Sequence, residues 1–201
     1  TCPEDLYLRW LAFGMFSSHS RCHGQVPKEP WTMSVEGQEI FRKIVEVRYQ
    51  LMPYIYTQSV LASERGLPLL RGLFIDYPQD PLAWLIEDAY LFGDDMLVAP
   101  LVSESTERFV YLPEGEWTDY QTGKSYIGGK MHCVKATALP ILIFVKNSAA
   151  IPQAPLAQSV EEIDWDAFYF RVFTEDEPQK GQVCFPDGIR KEYEPKTKNK
   201  V

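Results

Sequence analysis

The stretch "DMLVAPLV", residues 95–102, is a short apolar run that starts from the acidic turn "GDD" (93–95). Such a run, rich in leucine and valine, is typical of a buried strand. From about residue 67 onward similar runs alternate with turns such as "DYPQDP", "PEGEW" and "QTGK". This spacing predicts an antiparallel β-sandwich of about eight strands. The other runs are "LLRGLFI" (69–75), "RFVYLP" (108–113), "SYIGG" (125–129), "HCVKA" (132–136) and "LPILIFV" (139–145).

The first third of the chain has helical periodicity. Leu6, Trp10 and Phe13 recur at helical steps, which predicts a helix over residues 4–14. A second, longer helix is predicted over 34–65, with Ser34 as its cap, Gly66 as its stop and a kink at Pro53 instead of a break.

The chain after the predicted sandwich is predicted to start a smaller β unit. Residues 152–164, "PQAPLAQSVEEID", have the composition of a connector. The run "AFYFRVF" (167–173) predicts a strand, and "QVCF" (182–185) is expected to pair with it as a hairpin. The terminal segment "KEYEPKTKNKV" (191–201) is expected to fray.

Charge and hydropathy restrict the classes of partner. The chain has 20 basic and 28 acidic side chains, a net charge of −8, which opposes binding to nucleic acid or to an anionic membrane surface. No apolar run approaches the roughly 20 residues that span a bilayer. The N-terminus lacks the pattern of a signal peptide, so we expect a cytoplasmic location. The four cysteines lack metal-ligand spacing and are expected to be free thiols.

The densest group of chemically active side chains is "FSSHSRCHG", residues 16–24. His19, Cys22 and His23 could supply three zinc ligands. In an extended strand, however, residues 19, 21 and 23 point to one side and Cys22 to the other, which disfavours zinc. A serine nucleophile is also disfavoured, because the G-x-S-x-G pattern is absent. We therefore predict no metal, no cofactor and no catalytic residue here.

Arg21 and His23 remain as candidate binding residues, side by side at the end of the predicted strand. A guanidinium and an imidazole can donate hydrogen bonds to hydroxyls or orient a carboxylate. The composition fits equally well an Arg21 paired with a buried acid and a packed His23. Trp31, in the proline-bordered loop "KEPWTM" (28–33), is the tryptophan we expect near a site, because an aromatic face can stack on a pyranose.

Asp94 and Asp95 are adjacent acids, but their spacing is wrong for glycoside chemistry. Such chemistry needs two carboxylates that face each other about 5–10 Å apart. Neighbouring residues at the start of a strand point to opposite faces. We therefore interpret this pair as a turn before the strand.

Several motifs in fixed order resemble the C-terminal part of glycoside hydrolase family 31. They are "LYLRWLAFGMFSSHSRCHG", "EPW", "RYQLMPYIYT", "ERGLPLLRGLFIDYPQDP", "YLFGDDMLVAPL", "VYLPEGEWTDYQTGKSYIGG" and "LPILIFVKNSAAIP". The resemblance covers residues 4 to about 152. The serine- and histidine-rich segment and the "NS" of "VKNSAAIP" resemble the α-xylosidase branch more than the α-glucosidases.

This resemblance implies a fold and a substrate class. The fold is mainly β, with antiparallel sandwich domains preceded by the last helix-strand-helix segment of a (β/α)8 barrel, whose final strand is residues 16–23. The implied domains are a barrel remnant (1–65), a proximal β-sandwich (66–152) and the start of a distal β domain (153–201). The implied parent is a retaining glycosidase that acts on α-linked oligosaccharides.

The resemblance also assigns individual residues. His23 matches the histidine that, in the family, hydrogen-bonds sugar hydroxyls in the −1 subsite, and Arg21 matches the arginine two positions earlier. Asp94 matches a structural aspartate. Both catalytic aspartates of the family lie N-terminal to the matched segment, so the isolated chain is expected to be inactive. This is the decisive departure from a complete enzyme.

Two further alternatives stay open on the sequence. The chain could be a non-catalytic β-sandwich that binds sugar or serves in assembly. A barrel reduced to residues 1–65 would leave a strand edge and an apolar helix face uncovered. Those residues would then pack on the sandwich, associate with another copy as a homo-oligomer, or be partly disordered.

Overall fold

The computed structural model describes residues 2–25, 27–173 and 181–193. Its helices are α1 (Glu4–Met15), α2 (Val35–Gln50), α3 (Met52–Arg65) and the short α4 (Leu73–Asp76), with 3-10 turns at Pro30–Thr32 and Val160–Glu162. The strands are β1 (Leu70–Arg71), β2 (Tyr90–Phe92), β3 (Met96–Pro100), β4 (Glu107–Leu112), β5 (Glu116–Asp119), β6 (Ser125–Ile127), β7 (Lys130–Lys135), β8 (Ile141–Lys146), β9 (Ala150–Gln153), β10 (Tyr169–Val172), β11 (Gly181–Cys184) and β12 (Arg190–Tyr193).

The largest sheet is antiparallel and has six strands in the order β1-β2-β3-β8-β5-β6. The strand predicted from "DMLVAPLV" is β3, near its middle, where Val98 is paired with Tyr90 of β2 and Ile143 of β8. Three two-stranded sheets pair β4 with β7, β9 with β10 and β11 with β12. The prediction of a mainly antiparallel β fold is therefore confirmed.

Side chains along β3 alternate between two cores. Met96 and Val98 pack in a cluster with residues of α1, α2 and α3. Leu97 and Ala99 pack in a second cluster with residues of β4 and β7. The central strands are thus buried on both faces, which explains why their sequence is continuously apolar instead of alternating.

The helices form as predicted in outline, with two differences. α1 buries Leu8, Leu11, Ala12 and Met15, whereas Trp10 is 71% exposed, so the apolar stripe used for the prediction faces away from the core. The predicted long helix is interrupted at Leu51, so the expected kink is a one-residue break. Pro53 lies in the first turn of α3, where its missing N–H does no harm.

Several strand predictions were wrong. Residues 16–23, all within the described ranges, form no strand, since a strand needs a paired neighbour and this segment belongs to none of the described sheets. "LFI" in the first run begins α4 instead of a strand. Strands β5 and β9 arise where turns or connectors were expected, in "PEGEW" and at the start of the 152–164 segment.

The expected hairpin of the distal segment was also wrong. β10 pairs with β9, and β11 pairs with β12, so the two predicted partners belong to different sheets. The start of the expected frayed tail, residues 191–193, lies in β12, and the rest lies outside the described residues.

The described part of residues 1–65 packs on the large sheet, which is the first of the three outcomes considered, and association with a second copy stays a prediction. The helices cover one face of the large sheet, and Phe16, Ile44 and Tyr54 share a core with Phe92 and Ile143. This core crosses the boundary between the first two predicted domains, and the division at 1–65, 66–152 and 153–201 stays a prediction.

Phe144 and Phe109 offer a matched test of this layered core. Phe144 is fully buried in β8, whereas Phe109 in β4 is 65% exposed. Phe144→Ala should lower the free energy of unfolding by about 3–5 kcal/mol, because it removes a large side chain from a packed layer. Phe109→Ala should change it by about 0.5 kcal/mol or less. Urea denaturation measures both free energies of unfolding. Equal losses would contradict the assignment of Phe144 to the core and of Phe109 to the surface.

Candidate functional site

The predicted site residues lie in the connection between α1 and α2. Arg21, Cys22, His23 and Gly24 are all exposed. The segment that contains them, residues 16–25, is here called the histidine loop. Trp31 lies on the 3-10 turn that follows and is 74% exposed.

The half-buried Arg48 and the buried Tyr90 fix the start of the histidine loop. Arg48 of α2 donates hydrogen bonds to the carbonyl oxygens of Met15 (2.5 Å) and Ser17 (2.9 Å). The Tyr90 hydroxyl donates to the carbonyl oxygen of Phe16 at 2.9 Å. These carbonyls follow the end of α1 and have no helical partner, so the contacts satisfy them and hold the backbone in place.

Tyr7 and Glu4 of α1 fix the other end of the connection. The Tyr7 hydroxyl lies 3.0 Å from the carbonyl oxygen of Lys28 and 3.5 Å from the sulfur of Cys22. Burial raises the pKa of Tyr7, so it stays a neutral donor. The Glu4 carboxylate accepts from the backbone N–H and the hydroxyl of Ser34, which caps α2 as predicted by accepting from the N–H of Gly37.

The histidine loop is therefore anchored through its backbone, while its charged side chains are left exposed. Among the described residues Arg21 has no ion pair, and it makes no hydrogen bond to His23 or Trp31. The alternative in which Arg21 pairs with a buried acid and His23 packs in the core is therefore wrong. The binding roles of Arg21, His23 and Trp31 stay predictions.

Neither metal binding nor serine chemistry has support in the described parts of the chain. No group of three or more His, Cys, Asp or Glu side chains there could hold a metal ion. Ser18 Oγ lies 3.0 Å from His19 Nδ1, but both residues are exposed neighbours, and no acid orients the imidazole there. Because residues 16–23 form no strand, the argument that Cys22 and the two histidines point to opposite sides of a strand does not apply. The structure shows instead that the Cys22 sulfur lies 3.5 Å from the Tyr7 hydroxyl.

The second candidate, Asp94 and Asp95, lies in the turn between β2 and β3, as predicted. The Asp94 carboxylate accepts from Arg65 at 2.7 Å and from Arg71 at 2.8 Å. Arg71 also binds Asp76 through two hydrogen bonds, of 2.7 and 2.8 Å. Burial opposes the ionisation of Asp94, but the two arginines outweigh it and lower its pKa. Asp94 thus bridges arginines and has a structural role.

Asp95 has the opposite electrostatic environment. Burial, reinforced by the charge of Asp94, raises its pKa to about 6, although Lys146 acts against the shift. Its backbone N–H donates to the Tyr54 hydroxyl at 3.1 Å. The turn also needs Gly93, which has a φ of +68° and where a Cβ would lie 2.5 Å from the Tyr54 oxygen.

Tyr7, Arg48 and Tyr90, which position the loop, were not predicted from the sequence. Their partners are backbone carbonyls, which have no side-chain signature in a sequence. The only available signal was Arg48 in the last turn of a predicted helix, a place where a cation is favourable for other reasons.

Two family models match the chain. Residues 1–58 match the glycosyl hydrolases family 31 TIM-barrel domain, and residues 66–151 match the glycosyl hydrolase family 31 C-terminal domain. The chain belongs to glycoside hydrolase family 31. The family resemblance of its motifs is thereby confirmed, together with the order of a barrel end followed by a β-rich domain.

Individual relatives agree with this membership. Alpha-glucosidase 2 of Bacillus thermoamyloliquefaciens is 36% identical over 164 residues, 80% of this chain and 21% of the relative. An alpha-xylosidase of Saccharolobus solfataricus is 34% identical over 196 residues, 94% of this chain and 26% of the relative. A family 31 dextranase of Flavobacterium johnsoniae, solved with isomaltotriose, has a TM-score of 0.79 at 35% identity and covers 90% of this chain and 23% of its own.

The chain thus spans about a fifth to a quarter of the length of these relatives. None of the helices in the described ranges combines the length and apolar character needed to cross a membrane.

The neighbouring aspartates should respond oppositely to substitution. The raised pKa of Asp95 means that folding favours its protonated, neutral form. The stability that this form contributes is fully present below about pH 4 and is lost as the pH rises through about 6. Asp95→Asn should therefore stabilise the chain at pH 7.5 and remove this dependence. Asp94→Asn should destabilise it at the same pH, because the two arginines lose a charged partner. Thermal unfolding between pH 4 and pH 8 measures both, and a destabilising Asp95→Asn would contradict the assignment.

Proposed function

We propose that this family 31 chain forms the C-terminal part of a retaining α-glycosidase of the α-xylosidase type, and that the histidine loop contributes to its sugar pocket. In this proposal Arg21 and His23 bind sugar hydroxyls, and Trp31 borders the pocket. The two catalytic carboxylates belong to barrel segments outside this chain. The substrate is an α-linked oligosaccharide or glycoside.

The observation that carries the proposal is the anchored but exposed loop within the part matched to the barrel model. Arg48, Tyr90 and Tyr7 satisfy backbone groups on either side of the loop tip. A binding site needs a rigid backbone and free side chains, because ordering them later would reduce the affinity. Active sites of (β/α)8 barrels lie at the C-terminal ends of the strands. In the complete enzyme of this proposal, residues 16–23 pair with a neighbouring barrel strand that this chain lacks, and the loop then lies at that end.

The side chains suit contact with sugar. Arg21 offers several donors in a planar fork, and His23 can donate or accept through its ring nitrogens. The tryptophan face of Trp31 can cover the apolar face of a pyranose. Contacts with hydroxyls beside the reacting carbon strengthen as the oxocarbenium-like transition state forms, so such residues act on rate as well as on affinity.

Asp94 and Asp95 do not suit the two catalytic roles. Asp94 is engaged by two arginines, and Asp95 is largely buried in the same turn. Retaining chemistry needs two carboxyl groups about 5 Å apart across a glycosidic bond. The proposal therefore assigns binding to this chain and proton transfer and nucleophilic attack to other segments of the enzyme.

The proposal extends to compartment and assembly. Cys2, Cys22 and Cys133 are exposed and none forms a disulfide, which supports a reducing compartment such as the cytoplasm. The exposed apolar side chains of α1, with Trp10 foremost, support association of the isolated chain with a second copy.

The isolated 201-residue chain should not hydrolyse p-nitrophenyl α-xyloside or p-nitrophenyl α-glucoside. The reason is that two arginines engage Asp94 and that Asp95 lies buried in the same turn, so this pair does not supply the two catalytic carboxyl groups. Release of p-nitrophenol by the purified chain measures this. Turnover that copurifies with the chain and is lost when one of its carboxyl groups is substituted would overturn the assignment of the catalytic acids to other segments.

His23→Ala in an enzyme that contains this chain with a complete barrel should lower kcat/KM by about tenfold or more. The matched control is His19→Ala, which removes the other histidine of the loop and should leave kcat/KM within about twofold. Steady-state kinetics with an α-xyloside measure both. An unchanged rate for His23→Ala would assign His23 to a structural role.

A further inference from the structure

An open cleft of about 870 Å³ lies on the β-rich part of the chain, and no residue of the histidine loop lines it. One wall is the segment after α4, residues 76–80, and the other wall comes from the turn between β4 and β5 and the turn after β6. Its size falls within the range of small-molecule sites.

An ordered aromatic pair lies next to Pro78, one of the residues that line this cleft. The rings of Phe74 and Trp84 are stacked, with centroids 4.9 Å apart and an interplanar angle of 24°. Trp84 Nε1 donates to the carbonyl oxygen of Pro78 at 3.0 Å, and Pro78 lines the cleft. Although it is held on one side by Phe74 and at its edge by Pro78, the Trp84 side chain is 58% exposed. Trp84 therefore has a fixed and exposed apolar face next to Pro78, and a ligand in the cleft that reached over Pro78 could contact it at little entropic cost.

The cleft itself is lined by hydroxyls and acceptor groups. The hydroxyl of Tyr111 donates to Asp80 at 2.5 Å, and the other Asp80 oxygen accepts from the N–H of Leu82. Burial raises the pKa of Tyr77 to about 12, so its hydroxyl is neutral. Glu114 is exposed at the rim and forms no ion pair within the described ranges.

This combination selects a chemical class of ligand. The carboxylates of Asp80 and Glu114 repel phosphate and carboxylate groups. A metal ion lacks its ligands, since the described residues contain no suitable group of three. A hydroxyl-rich ring can donate to the carboxylates and stack its apolar face on Trp84.

We propose that this cleft, with Trp84 at its rim, is a second carbohydrate site that binds neutral oligosaccharides without acting on them. The site stands on its own geometry, and only the choice of α-linked probes rests on the proposed function. Such a site would hold a long substrate on the sandwich surface while another part of the enzyme acts on it.

The test uses the 201-residue chain and isomaltotriose as the probe. Titration followed by ¹H–¹⁵N NMR should shift the indole signal of Trp84, which is assigned by its loss in Trp84→Phe. Calorimetry should show millimolar binding that Trp84→Ala weakens by about fivefold or more, because the stacking face is gone. Trp10→Ala is the matched control, since Trp10 is 71% exposed but lies on α1, and it should bind like the unaltered chain.

Other outcomes would overturn the proposal. A flat titration of the unaltered chain excludes the site at once. Binding that Trp31→Ala abolishes and Trp84→Ala leaves intact belongs to the histidine loop, which contradicts this inference and supports the proposed function. Stronger binding of trilysine than of isomaltotriose, lost in Glu114→Gln, would identify a surface for cationic peptides instead.

Discussion

Strands β3 and β8 lie in the interior of the six-stranded sheet and turn neither face to water. Met96 and Val98 of β3 pack toward the helices, and Leu97 and Ala99 pack toward β4 and β7. A sheet that is apolar on both faces requires a cover on each side, because exposing either would place a large apolar area in water. The helical first third therefore belongs to the same core as the sheet, and its position determines that of the histidine loop.

The turn between β2 and β3 joins these layers through charge. Asp94 connects Arg65, at the end of α3, with Arg71 of β1, and Lys146 of β8 donates to the Asp94 carbonyl oxygen at 2.5 Å. Two adjacent aspartates with pKa values shifted in opposite directions show that the partners of a carboxyl group decide its charge. The spacing of these two acids already predicts a turn, and the structure shows that Asp94 holds this turn through its two arginine partners.

The two sites that we propose for sugar binding lie at separate places on the surface. The histidine loop combines an anchored backbone with exposed Arg21 and His23, and the cleft beside Trp84 combines a fixed aromatic face with acceptor groups. The first depends on segments that complete a pocket, whereas the second is built from the β-rich part alone. The cleft can therefore be tested by sugar binding to the isolated chain, whereas the loop has to be tested by the kinetics of an enzyme with a complete barrel.

The sequence by itself determined the mainly β class, the strand at "DMLVAPLV", the helix bounds near Ser34 and Gly66, and the family, because periodicity, caps and ordered motifs are local properties. It also identified 93–95 as a turn. Only the tertiary structure decided that residues 16–23 form no strand in this chain, that β10 pairs with β9, and that Tyr7, Arg48 and Tyr90 hold the loop. Those outcomes depend on which backbone groups find partners across long sequence separations, and no local pattern records them.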